Sequence, residues 1–211
     1  MISASKINSY IHCPKQYFFQ YVEKIEVGIK SPWLELGSKV HGMIAKGEWQ
    51  SDDTMIRLML RNARKFLNNM PSNPIMETTY EDKNNPGRFF GDIFGRRSIG
   101  IFDYHWSDYP LAGDWKTGKL DERFTDSLEV QGYILGELYR QKYDVPLSQM
   151  YFNFIKFGKV YKAESIKPGA TRNKIEHDIE SALSLIDDEI FPKKVGRLCD
   201  YCDYREYCNQ E

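Results

Sequence analysis

Residues 99–118 read IGIFDYHWSDYPLAGDWKTG, and this stretch decides how the chain is to be folded. Apolar and aromatic runs flank the turn-rich tetrapeptide Ser107-Asp108-Tyr109-Pro110, which is the pattern of a β-hairpin. With Asp108 and Tyr109 as a two-residue loop, residues whose numbers sum to 217 lie opposite each other, and Asp103 faces Asp114. Side chains alternate across a strand. One face then carries Asp103, His105, Asp114 and Lys116, and the other carries Phe102, Tyr104, Trp106, Leu111 and Trp115. The aromatic face is a core face. The polar face sets two carboxylates side by side, where like charges cost stability. A divalent cation between them would remove that cost, with Lys116 beside it.

The rest of the chain must supply a core for this hairpin. Its 211 residues, 41% hydrophobic and 14% aromatic, suffice for one well-buried domain. The formal charge of −1 means that the chain as a whole is no polycation, so any nucleic-acid contact must come from a local patch. The start, MISASKINSY, lacks a basic segment followed by an apolar one, and no run of about 18 apolar residues occurs. A soluble, cytoplasmic protein with no membrane contact is expected.

Residues 3–25 read as a first helix with Ser3 or Ser5 as N-cap and a kink or restart at Pro14. Gly28 to Pro32 reads as a linker, and residues 33–47 and 52–69 as two more helices. Then the period changes. Residues 75–81, 88–97, 99–106 and 111–116 suit strands, with a turn at Asp82 to Gly87. Residues 122–142 read as a helix, 149–157 and 159–166 as strands around Gly158, and 171–190 as an amphipathic helix with Ile175, Ile179, Ala182, Leu183, Ile186 and Ile190 at helical spacing. The expected fold is α/β, a central mixed sheet flanked by helices. One domain over residues 1–211 is expected, made of a helical part (1–70), a core (75–190) and a cysteine-rich tail (191–211).

Asp103, Asp114 and Lys116 suit phosphodiester hydrolysis. Two carboxylates supply hard oxygen ligands for Mg²⁺ or Mn²⁺, and a lysine can orient water or offset charge in the transition state. Asp-x-Lys on a solvent face is the plainer alternative. The wider pattern narrows the choice. Gly100-Ile101-Phe102-Asp103 followed by Asp114-Trp115-Lys116-Thr117-Gly118 resembles the G-x-x-D … D-x-K-T-G signature of the RecB-like nucleases of the PD-(D/E)XK superfamily. Ser3-x-Ser5 through Cys13-Pro14-x-x-Tyr17 resembles their N-terminal motif, and Gly37-Ser38-Lys39-Val40-His41 their G-x-x-x-H helix.

The resemblance implies a PD-(D/E)XK nuclease core, a metal held by His41, Asp103 and Asp114, and a catalytic Lys116. It also points to Gln131 and Tyr133, on the helix after the hairpin, as residues lining the site. The family's commoner spacing sets a glutamine four residues before the tyrosine, which here is Glu129 before Tyr133, so Glu129 and Gln131 are rivals. Glu77, ahead of the strands, is a further acidic candidate. Without the resemblance His41 reads as a half-buried helix histidine rather than a ligand, and Glu77 reads equally as a surface glutamate.

The four cysteines are Cys13, Cys199, Cys202 and Cys208. In a reducing compartment a metal site is a better reading than disulfides. Zinc sites usually draw on two local pairs, whereas here three cysteines are clustered and the fourth lies 186 positions upstream. That arrangement resembles the iron–sulfur branch of the RecB-like nucleases, which includes AddB-type nuclease domains and CRISPR-associated RecB-like exonucleases. The implied cofactor is a [4Fe–4S] cluster on Cys13, Cys199, Cys202 and Cys208, a staple closing a very long loop. Zinc, or four unligated thiols, are the alternatives.

Arg57, Arg61, Arg64 and Lys65 lie on one side of a helix, and Arg88, Arg96 and Arg97 precede the hairpin. They suit a phosphate backbone or a solvated face. Aromatic residues near the site would stack on unpaired bases, but the sequence does not place them. The resemblance thus implies a Mg²⁺- or Mn²⁺-dependent deoxyribonuclease, an exonuclease on single-stranded DNA running 5′ to 3′, in a CRISPR, phage or free-standing setting. The alternatives are a DNA-binding or assembly module working with an integrase or helicase partner, and a zinc-stapled structural protein.

Overall fold

The computed structural model describes residues 1–27, 32–77, 84–122 and 125–209. A five-stranded mixed sheet forms its centre, in the order β1 (Ile75–Met76), β4 (Tyr104–His105), β5 (Leu111–Lys116), β6 (Gln149–Phe154), β7 (Lys159–Lys162). The β5–β6 pair is parallel and the other pairs are antiparallel. Parallel neighbours need a long crossover, and α5 (Thr125–Tyr143) supplies it.

Both faces of the sheet are covered. Against one lies a core that includes Ile7 of α1 (Ala4–His12), Ile134 and Leu138 of α5, and Ile175 and Ile179 of α6 (Ala170–Asp187). Against the other lie Val40 and Ile44 of α3 (Pro32–Ala45) and Ile56, Met59, Leu60 and Ala63 of α4 (Thr54–Leu67), packed on Tyr104, Trp106 and Trp115. The α4 helix starts where the Asp53 carboxylate accepts from the Met55 and Ile56 amides at 2.8 and 3.0 Å.

The hairpin register is the one expected. Tyr104 pairs with Gly113 and His105 with Ala112, both summing to 217. Trp106 N–H donates to the Leu111 carbonyl at 3.1 Å, so residues 107–110 form the loop, longer than the two residues assumed. Gly113 is required here because Tyr104 lies across it: a Cβ on residue 113 would stand 2.0 Å from the Tyr104 hydroxyl oxygen.

Three expectations change. The single strand expected over 88–97 is a hairpin of its own, β2 (Arg88–Ile93) and β3 (Arg96–Ile101), turning at Phe94 and Gly95 with φ of 51° and 74°. Two positive φ values make the tight turn whose twist matches the strands, and Gly95 was its only sequence signal. The strand expected over 99–106 is broken: Ile99–Ile101 pairs with β2 in a separate ribbon, and only Tyr104–His105 joins the main sheet. The bend at 102–103 also moves Phe102, expected beside Tyr104 and Trp106, into the α5 core with Phe89. The first helix restarts at Pro14 as expected, giving α1, α2 (Pro14–Tyr17) and then a π-helical turn over Phe18–Val22. Residues 28–31 of the linker, 78–81 of the first strand, 82–83 of the turn and 123–124 of the crossover helix lie outside the described residues.

The tail returns to the N-terminal helices. The 3₁₀ turn Arg197–Tyr201 and α7 (Arg205–Asn209) follow α6. Lys194 Nζ donates to the Ile11 carbonyl at 3.0 Å and the Tyr204 hydroxyl to the Ile25 carbonyl at 3.3 Å, while Tyr204 stacks on Phe19. Among the described residues no helix is long and apolar enough to cross a membrane.

Candidate active site

The register sets Asp103 opposite Asp114 by extension of the Tyr104–Gly113 pair, and the bend at 102–103 turns the Asp103 carboxylate along β5. One of its oxygens accepts from the Trp115 amide. The other lies 3.1 Å from His41 Nδ1, which α3 presents to it, and His41 Nδ1 is 4.0 Å from Glu77 just beyond β1. The ligand atoms of His41, Glu77 and Asp103 all lie within 4.8 Å of one another.

Asp114 faces a second set of partners. Gln131, on α5, donates through Nε2 to Asp114 Oδ1 at 2.7 Å and accepts through Oε1 from Lys116 Nζ at 2.9 Å. Lys116 Nζ stands 2.8 Å from Asp114 Oδ2. Asp114 and Lys116 share a strand face at a spacing of two, and the crossover helix lies over that face, so one glutamine reaches both.

The electrostatics bind the two sets together. Burial opposes charge on His41, yet the carboxylates of Asp103, Asp114 and Glu77 push it up to about 9. Glu77 is pushed up to about 8, by burial and by the Asp103 charge. Burial would raise Asp103, but His41 and the Trp115 amide outweigh it and hold its carboxyl low. Burial raises Asp114 despite Lys116. Three carboxylates converge here on one imidazole and one ammonium. A divalent cation fits this donor set of hard oxygens and one imidazole, and it relieves the repulsion that now raises Glu77.

Among the residues singled out from sequence, His41, Asp103, Asp114, Lys116 and Gln131 are brought to one place. Glu77, read equally as an acidic contributor or a surface residue, joins them and forms a ligand-spaced group with His41 and Asp103. Its weak signal was a lone acid ahead of the strands.

Tyr133 is not brought to this place. Two residues along a helix is about 200° of rotation, so when Gln131 faces the strands Tyr133 faces α6, where Arg172 lies 4.8 Å from its ring and Phe94 stacks on it. Glu129 also points away. Its carboxylate accepts from the Tyr161 hydroxyl at 2.5 Å and from the Glu164 and Ser165 amides at 3.1 and 2.7 Å, pinning the segment after β7 (Lys159–Lys162). The choice between Gln131 and Glu129 therefore falls to Gln131.

His105, on the same strand face as Asp103, is buried between Phe89 and Tyr143 with Nε2 3.0 Å from the Tyr143 hydroxyl. Burial, then the Lys142 charge, lower it to about 4, and it packs as a neutral ring among aromatic side chains. Arg57, Arg61, Arg64 and Lys65 of α4 line one shallow cavity with Trp49. Arg88, Arg96 and Arg97 lie on the β2–β3 ribbon.

Cys13, Cys199, Cys202 and Cys208 are unpaired and all line one 440 Å³ cavity between the tail and the N-terminal helices. Burial, and more weakly the charges of Cys13 and Cys199, raise the Cys202 thiol. No three of these sulfurs lie within 4.8 Å of one another.

No curated protein matches the chain. Residues 1–67 and 99–209 match the PD-(D/E)XK nuclease superfamily. That match takes in His41, Asp103, Asp114, Lys116 and Gln131 and covers well over half of the sequence. The chain, built on a mixed sheet that carries an Asp, Asp, Lys set at its centre, belongs to the PD-(D/E)XK nuclease superfamily.

Proposed function

We propose that the chain is a divalent-metal-dependent deoxyribonuclease of the RecB-like kind, acting as an exonuclease on single-stranded DNA, 5′ to 3′. The observation that carries the nuclease reading is the convergence of His41, Glu77 and Asp103 beside the Asp114–Lys116–Gln131 triangle. His41, Glu77 and Asp103 would hold Mg²⁺ or Mn²⁺, with Asp114 as a further ligand. A bound divalent ion supplies Lewis-acid stabilisation of the phosphate charge and acidifies water in its shell.

The chain's own residues do the rest. The Trp115 amide fixes the direction of the Asp103 carboxylate. Gln131 holds Lys116 and Asp114 in mutual register, so the ammonium is positioned before substrate arrives. Lys116 then orients the attacking water or offsets the negative charge that builds on the phosphoryl oxygens. The burial of Asp103 and Asp114 keeps bulk water from screening these interactions.

The single-strand preference, end dependence and polarity rest on the resemblance to RecB-like exonucleases, as does a [4Fe–4S] cluster held by Cys13, Cys199, Cys202 and Cys208. The shared cavity of the four thiols supports the cluster. A single zinc on the same four thiols is the alternative. An integrase or helicase partner would belong to the same setting.

The test is cleavage of labelled DNA with Mn²⁺ by wild type, Lys116→Ala and Asp103→Ala. Wild-type cleavage that falls at least about a hundredfold in both variants is expected. Equal activity in all three would refute the assignment. Anaerobic purification tests the cluster: visible sulfur-to-iron absorbance is expected, and a colourless protein with one zinc would overturn it.

A further inference from the structure

Trp33, Gly37 and His41 follow one another at intervals of four on α3, so they share a face of the helix. His41 ends this row at the carboxylates. Gly37 lies against Thr117, the residue after catalytic Lys116: a Cβ on residue 37 would stand 3.4 Å from Thr117 Oγ1. Trp33 begins the row, eight residues or about 12 Å from His41, and is 65% exposed.

A second element reaches the same spot. The Ile155 amide donates to the Lys116 carbonyl at 3.0 Å, and the chain then turns through Lys156 and Phe157. Lys156 Nζ lies 5.1 Å from the Trp33 ring centre and 5.7 Å from that of Phe157, itself 46% exposed. Two exposed aromatic rings and an ammonium therefore stand just past the end of the strand that carries Asp114 and Lys116.

The ammonium near both exposed rings selects the chemistry of a ligand. An unpaired base presents a π face to each ring and brings a phosphate for Lys156. Paired bases hide those faces inside the duplex. At the 3.4 Å rise of a stacked strand, 12 Å is about three nucleotides.

We propose that Trp33, with Lys156 and Phe157, is a base-stacking platform that grips single-stranded nucleic acid about three nucleotides from the scissile phosphate. The proposal rests on the nuclease reading above and names how that site takes its substrate. The row on α3 links the platform to His41, and the 155–157 segment links it to Lys116.

The experiment measures binding of a fluorescent twelve-residue oligothymidylate to the chain in EDTA, where no cleavage occurs, by anisotropy. Trp33→Ala is expected to weaken binding by about five- to a hundredfold, the range for one stacked base, and Trp33→Phe to restore most of it. Lys156→Ala should weaken binding and flatten its salt dependence. Unchanged affinity in Trp33→Ala, or an equal Trp33 dependence for a blunt duplex of the same length, overturns the platform. Cleavage by wild type with Mn²⁺ is read separately. Cleavage without Trp33-dependent binding refutes the platform alone. Trp33-dependent binding without cleavage supports the platform and refutes the nuclease reading.

Discussion

Glu129 and Gln131 sit two residues apart on α5 and should fail in opposite ways when truncated. Glu129→Ala removes the acceptor for the Tyr161 hydroxyl and for the Glu164 and Ser165 amides. A buried donor left without a partner costs about 1–3 kcal/mol. Water entering the vacated space will serve part of this set, which places the loss near the lower bound for three donors, about 3 kcal/mol. For a chain of this size that lowers the melting temperature by about 6–12 °C. Gln131→Ala keeps the Lys116–Asp114 ion pair and removes one donor from Asp114 Oδ1, a loss of about 1 kcal/mol, well under that at Glu129. Its activity falls because Lys116 loses the group that orients it. Urea unfolding and metal-dependent cleavage, run on both variants, check the pair. The reasoning is refuted if Glu129→Ala unfolds at the wild-type midpoint while losing activity, or if Gln131→Ala is the unstable one.

Gly113→Ala pushes a methyl group into the buried Tyr104 ring and should cost about 1–3 kcal/mol or more, read as a lower urea midpoint. His105 sits at about 4 in the fold against about 6.5 when unfolded, so the unfolded chain binds the extra proton first. Stability is full above about pH 6.5 and declines as pH falls toward 4, by about 3 kcal/mol in all. Urea titrations at pH 7 and 5 should differ by about 2 kcal/mol from this group, and His105→Phe should flatten that slope. Glu77→Gln removes a carboxylate next to His41 and Asp103 and should weaken Mn²⁺ binding by about tenfold or more, measured calorimetrically. Cys13→Ser should abolish visible absorbance if a cluster joins the tail to α1, and limited proteolysis should then release residues after α6.

The hairpin and its register were readable because strand alternation and the turn at 107–110 are local properties. So were α4 and the hydrophobic stripe of α6, since helical periodicity needs only neighbours in sequence. The β2–β3 turn was not readable, because a turn at Phe94 and Gly95 leaves one glycine as its trace and the flanking residues read through as a single strand. The broken strand at 102–103 was hidden for a similar reason: both halves are extended, and only their partners differ.

The site divides the same way. Asp103, Asp114 and Lys116 stood out because one hairpin brings them together, and the spacing alone carries that information. Whether Gln131 or Glu129 faces them depends on how α5 is rotated over the sheet, which its burial on nearly every side conceals from periodicity. Glu77 had no motif at all. It enters the site because β1 pairs with β4 and delivers the residue after Met76 beside Asp103. By itself the sequence determined most of the helices, the 104–113 hairpin and where its carboxylates lie along the chain, through local geometry. The tertiary structure alone decided which distant groups complete the site, because helix rotation and strand partnership are settled only when both faces of the sheet are packed.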